Sequence, residues 1–212
     1  MRQFVTPTVL SVCVATMLPF AVNADEAAVS RLPRVSENSP DPIVKAMFAD
    51  SKARGGQVIN LQLTLANAPK LAQATQVLAY AIRYDASVPR QYRELAIMRT
   101  AQIAGSDYEL NQHRPMVLAC GFTAAQTDGI ARWRANKLFD AKQRAVLAYT
   151  EEVAHGGNVS DATFDALSKE FSPQEILEIT LTITHYYDTA LVTKALKIKI
   201  EDDGRKAAPG TC

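Results

Sequence analysis

The chain has 212 residues, 48% of them hydrophobic, with 23 lysines and arginines against 22 aspartates and glutamates for a formal charge of +1. That balance excludes an electrostatic nucleic-acid binder and a polybasic membrane-surface protein, because both need clustered cationic side chains. The length suits one domain with a sizeable core.

Residues 1–24 read as a secretory signal peptide. Arg2 is the only charge there, an apolar run spans Val9 to Val22, and Val22-Asn23-Ala24 approximates a small-x-small cleavage site before Asp25-Glu26. Pro19 interrupts the run, which is short for a membrane span. The expectation is an exported protein, periplasmic or secreted, with no membrane attachment after cleavage.

Residues 25–42 are polar and proline-bearing and read as an irregular arm rather than packed structure. Residues 43–200 form one helical domain. A helix follows Pro42 and stops at Gly55-Gly56. Val58, Leu61, Leu65 and Ala66 make a short amphipathic one, and Leu71, Ala74, Val77, Leu78 and Ile82 mark the apolar face of the next, running to about Tyr84. Thr123-x-x-Gln126, Asp140-x-x-Gln143 and Ser172-Pro-Gln-Glu175 are capping boxes that open further helices, and Ser160 starts another. The last helix, Ile176 to about Ile200, is apolar on more than one face. Its β-branched residues could suit a strand, but length and the cap decide for helix. Residues 201–212 form a polar tail. The fold class is all-α, one domain behind a cleaved leader.

Two cysteines remain after cleavage, Cys120 and Cys212. Export permits a disulfide, but spacing does not show whether they meet. The default for Cys120, in an apolar helix end, is a buried inert thiol.

The segment Arg93 to His113 (RELAIMRTAQIAGSDYELNQH) carries the chemistry. Glu94 lies on one helix, Gly105-Ser106 breaks it, and Glu109 and His113 share a face of the next at i and i+4. Two carboxylates around an imidazole form a proton-transfer set near neutral pH. The competing reading is structural: Ser106-x-x-Glu109 is also a capping box, which would occupy the Glu109 carboxylate at the helix start. A further alternative makes Glu94, Glu109 and His113 metal ligands.

The series NLQLTLANAPKL, VPRQYRELAIMRTAQIAGSDYELNQH, ACGFTAAQTDGI, DAKQRAVLAYTEEV and LTITHYYDTALVTKAL resembles the carboxymuconolactone decarboxylase family, from about Ile59 to Leu196. The resemblance implies an AhpD-like all-α fold that assembles as a homo-oligomer, trimer or hexamer. It also implies a departure. Peroxidase members of that family carry a glutamate, a C-x-x-C pair and a histidine; here Glu94 and His113 match the outer two, while Ser106 and Glu109 stand at the cysteine positions. A hydroxyl and a carboxylate cannot cycle through thiolate and disulfide. The chain therefore belongs with branches lacking the pair.

What the resemblance then implies is an exported enzyme acting on a small unsaturated carboxylate or lactone by decarboxylation or isomerisation. The expected partner is a small-molecule substrate, with no metal or organic cofactor and no nucleic acid. His113 is the expected proton donor or shuttle, with Glu94 and Glu109 orienting it and Tyr108 donating to a substrate oxygen. Arg93 is the expected carboxylate clamp, and His185 and Tyr186 the pocket wall. Alternatives are a non-catalytic binding protein on the same fold and, less favoured, a peroxidase-type antioxidant.

Overall fold

The computed structural model describes residues 30–204, 206–207 and 212; the leader reading of residues 1–24 lies outside them. The described residues form helices α1 (Pro42–Ala53), α2 (Asn60–Leu65), α3 (Pro69–Tyr80), α4 (Arg90–Ala104), α5 (Asp107–Ala119), α6 (Ala124–Gly129), α7 (Ala141–Ala154), α8 (Asp161–Ser168) and α9 (Pro173–Ala195), with no strand among them. A π-helical turn, Ala81–Asp85, extends α3. None of these helices is long and apolar enough to cross a membrane.

The expected caps form. Thr123, Asp140 and Ser172 each accept the backbone N–H three residues on, and Gln126, Gln143 and Glu175 reach back in turn. Gly105 ends α4 in the left-handed region at φ 66°, which a residue without Cβ adopts at little cost. The chain thus reverses from α4 into α5 within two residues, laying the two helices side by side.

Helix α4 is the axis of the molecule and packs against α5, α7 and α9. Leu95, Val117, Ile130, Leu147, Leu167, Ile179 and Ile183 fill the main core around it. A smaller core joins α1, α2 and α3 through Val44, Met47, Phe48, Leu63 and Ala72. Ile82, Ile97 and Tyr186 form a separate buried contact.

Three expectations change. Helix α3 faces the other way: Leu71 and Val77 are 72% and 64% exposed, while Ala72 and Gln76 are buried. The small residue is inside because α1 approaches closely there, and the larger aliphatic stripe is left outside. The last helix ends at Ala195, short of Ile200. Lys197 takes a left-handed φ of 49°, and Ile198 N donates to Thr193 O and Lys197 N to Lys194 O, a Schellman termination built without glycine.

The third change concerns the irregular segments on either side of the helices, which are tied down where they are described. Arg31 N donates to Leu196 O and Val35 N to Leu63 O. Glu201 is buried, and Cys212 is bonded to Cys120, with Cα atoms 5.2 Å apart, so Cys120 is not a free thiol. Pro115 sits inside α5 and gives no N–H to the carbonyl of Asn111. Lys206 Nζ donates to that carbonyl at 3.4 Å and also to the Asn111 side chain.

Candidate active site

Helix α4 brings Glu94, and α5 brings Glu109 and His113, to one buried point. The Ser106 cap fixes their register: its hydroxyl accepts from Glu109 N at 3.3 Å and contacts Thr193 Oγ1 at 3.0 Å. The Glu109 side chain does not reach back to Ser106, whose N–H is bonded instead to Ala101 O. Only half of the capping box exists. The carboxyl group of Glu109 lies against the imidazole instead, with Oε2 3.6 Å from His113 Nε2.

Glu94 is 1% exposed and has both oxygens engaged. Oε2 contacts His113 Nδ1 at 2.8 Å, and Oε1 accepts from Arg90 Nε and pairs with its terminal nitrogen, each at 2.9 Å. Burial drives this carboxyl upward. The charge and hydrogen bond of His113, then Arg90 and Arg83, outweigh burial, and the group sits below the ordinary carboxylate value. Glu94 is thus an anion. An anion facing Nδ1 makes that nitrogen the protonated one, which leaves Nε2 turned toward Glu109.

Glu109 is 3% exposed. Burial raises its pKa, and His113 and Arg83 oppose the rise without reversing it. The neutral carboxylic acid is favoured. Burial likewise raises Tyr186, whose ring stands edge-on to His113 at 4.8 Å, and lowers His185, despite Asp188, so that its neutral form is favoured.

Glu109 and His113 open into a cavity of about 160 Å³ between the α1–α3 layer and the α5–α9 wall. Its remaining lining is mostly apolar, with Met47, Leu61, Leu65, Ala72 and Val192, and with Gln76, Tyr80 and Arg83 as further polar members. Among the described residues no group of three His, Cys, Asp or Glu side chains could hold a metal ion. Glu94 in particular already serves a guanidinium and an imidazole.

The structure gathers Glu109, His113, Tyr108, His185 and Tyr186 around this cavity and sets Glu94 directly behind His113. Tyr108 is there as wall, because its hydroxyl donates to Glu201 at 2.6 Å and accepts from Leu61 N at 3.2 Å. Arg93 is not part of the lining. Its Nε donates to Val88 O at 3.1 Å and another guanidinium nitrogen donates to Ile82 O, so it braces the turn that leads into α4.

The cation at the cavity is Arg83, on the π-helical turn, with a guanidinium nitrogen 3.6 Å from Met116 Sδ; Arg90 lies 3.4 Å from the same sulfur. The sequence held one sign of this. Ala72, Gln76, Ala79 and Arg83 recur at helical spacing, so a helix with that face inward carries an amide and a guanidinium into the interior. Reading the aliphatic stripe of α3 as its buried face concealed both.

Residues 69–152 match the model of the carboxymuconolactone decarboxylase family. The architecture around it is AhpD-like. The AhpD core of an uncharacterised peroxidase-related protein from Ralstonia eutropha superposes with a TM-score of 0.73 at 19% identity, over 82% of this chain and 93% of that one. A debrominase, Bmp8, in complex with 2,3,4-tribromopyrrole gives 0.70 at 19%, over 85% and 96%. An Agrobacterium tumefaciens protein of unknown function, described as a putative antioxidant defence protein, gives 0.62 at 18%, over 66% and 96%. Identities this low establish the shared fold alone. No curated protein matches the chain.

Proposed function

We propose that this protein is a thiol-independent acid/base enzyme that decarboxylates or isomerises a small unsaturated ring acid or lactone. The observation that carries the reading is a buried carboxylic acid, Glu109, beside the Nε2 of an anion-anchored histidine, both facing a cavity that Arg83 also lines. In the decarboxylation, the bond between the ring carbon and the carboxylate breaks. Its electron pair moves through the conjugated system onto the carbonyl oxygen, and CO2 leaves. Arg83 stabilises the resulting enolate and Glu109 delivers the proton to carbon; a proton taken from solvent at His113 Nε2 then passes to the Glu109 carboxylate and restores the acid. Glu94, held by Arg90, keeps the imidazole oriented during that exchange.

Several features support the wider reading. Among the described residues no cysteine lines the cavity, and Cys120 is joined to Cys212, which disfavours thiol peroxidase chemistry. A disulfide suits an oxidising compartment and so agrees with export behind residues 1–24. The exposed aliphatic stripes Leu71, Val77 and Leu78 on α3 and Leu177, Leu181 and Leu191 on α9 suit a homo-oligomer.

The test is CO2 release from a panel of unsaturated carboxy-lactones and ring acids. Turnover by the wild type should fall about 10²–10⁴-fold in Glu109→Gln and in His113→Ala, the range for a lost general acid or base. Turnover surviving in both variants would remove the assigned acid, and no turnover of any compound would favour a non-catalytic binder.

A further inference from the structure

We propose that Gln76 is the cavity's recognition residue for a hydrogen-bond donor on the substrate. The ligand is then a single unsaturated ring that carries a hydroxyl or ring N–H besides the acid or carbonyl group handled by Arg83, Glu109 and His113. For that second group alone the inference rests on the proposed function.

Gln76 is 9% exposed and lies on the inward face of α3, in the cavity lining. Its Nε2 donates to Met47 O at 3.0 Å. A backbone carbonyl only accepts, so the amide cannot be reversed, and Oε1 is the atom turned away from α1. That oxygen is buried and has no hydrogen-bond partner within the protein.

The hydroxyls of Ser51 and Tyr80 and the amide of Gln62 are engaged with one another. Ser51 Oγ is 3.1 Å from Met47 O and 2.8 Å from Tyr80 Oη, and it accepts from Gln62 Nε2 at 2.7 Å. Met47, Ala72 and Ala79 line the same cavity and offer no side-chain donor. A buried amide oxygen left unmet is costly, and few are found in folded proteins. A ligand N–H or O–H relieves that cost where a methyl ether cannot. The size agrees with one ring, since a cavity of roughly 150 Å³ holds benzene.

The test is calorimetric binding of 3- and 4-hydroxybenzoate against their methyl ethers, and of phenol against anisole, to wild type, Gln76→Met and Gln76→Leu. Gln76→Met keeps chain length and removes the acceptor, and Gln76→Leu stands in if the first loses its fold. Hydroxylated rings should bind the wild type about tenfold more tightly than their ethers, a preference that both variants erase. Equal affinities in the wild type, or a preference that survives in the variants, would overturn the proposal. If the benzoates bind without discrimination, Gln76 is wrong and the anionic end stands. If only phenol and anisole bind and Gln76 discriminates between them, the reverse holds.

Discussion

The α4 side of His113 and the α5 side each present it with a buried glutamate, and the two glutamates titrate in opposite directions. Glu94 meets an arginine through one oxygen and the imidazole through the other, and its carboxyl is held below the ordinary value. Glu109 is as deeply buried, yet its nearest ion-pair contact is the 3.6 Å approach to the same imidazole, and its carboxyl is raised. Burial alone would raise both. The difference lies in the partners: Glu94 takes a 2.8 Å hydrogen bond from His113 and pairs with Arg90, whereas Glu109 makes only the longer approach to the imidazole and feels Arg83 through its charge alone. The glutamate with a hydrogen-bonded imidazole and a paired guanidinium is the anion, and the one without such bonds is the acid.

The comparison breaks most visibly at Glu94. Glu94→Gln leaves Arg90 buried without its anion and should cost about 3–5 kcal/mol of stability, read as a fall in the denaturant midpoint with unchanged slope. An unchanged midpoint would mean that neither the Arg90 pair within α4 nor the His113 contact to α5 adds to stability. A third buried glutamate sharpens the point. Glu201 accepts from Tyr108 Oη at 2.6 Å, Asn60 N at 2.7 Å and Gln112 Nε2 at 2.5 Å, all neutral donors. Glu201→Gln turns one accepting oxygen into a donor against these groups and should cost about 1–3 kcal/mol, less than the loss at Glu94. Because it ties the tail to α5, amide exchange near Asn60 should quicken as well.

Much of this was legible in the residues, and the reasons for the rest are physical. Caps act locally, so Ser106, Thr123, Asp140 and Ser172 could be placed from three-residue patterns. The i, i+4 pairing of Glu109 with His113 is likewise local. Helix α3 could not be oriented that way, because its aliphatic stripe and its Ala72–Gln76–Arg83 face have the same period. Which one turned inward depended on α1, far away in the chain. Arg93 and Arg83 illustrate the same limit. Both are arginines near the motif, and only the turn around Ile82 and Val88 decides that the first braces backbone carbonyls while the second lines the cavity. Glu201 met its partners through contacts spanning most of the domain, which no window of sequence displays.

The smallest effect is expected from Glu109→Gln, and its sign separates the two glutamates. At pH 3, below the unfolded value of 4.5, a neutral amide replaces a neutral acid of the same shape, and stability should change by about 1 kcal/mol or less. Above the unfolded value of 4.5 the raised carboxyl keeps its proton in the folded state while the unfolded chain has released it. The contribution of Glu109 is therefore complete at low pH and is lost as pH rises toward the folded value, by at most about 1.4 kcal/mol per unit. Glu94 behaves oppositely: its contribution is complete above 4.5 and is lost as pH falls through the depressed folded value. Stability measured from pH 3 to 9 should thus lose its alkaline decline in Glu109→Gln and keep its acid limb. If the alkaline decline persists, Glu109 is already ionised in the folded protein, and the proton delivered to substrate carbon must come from His113.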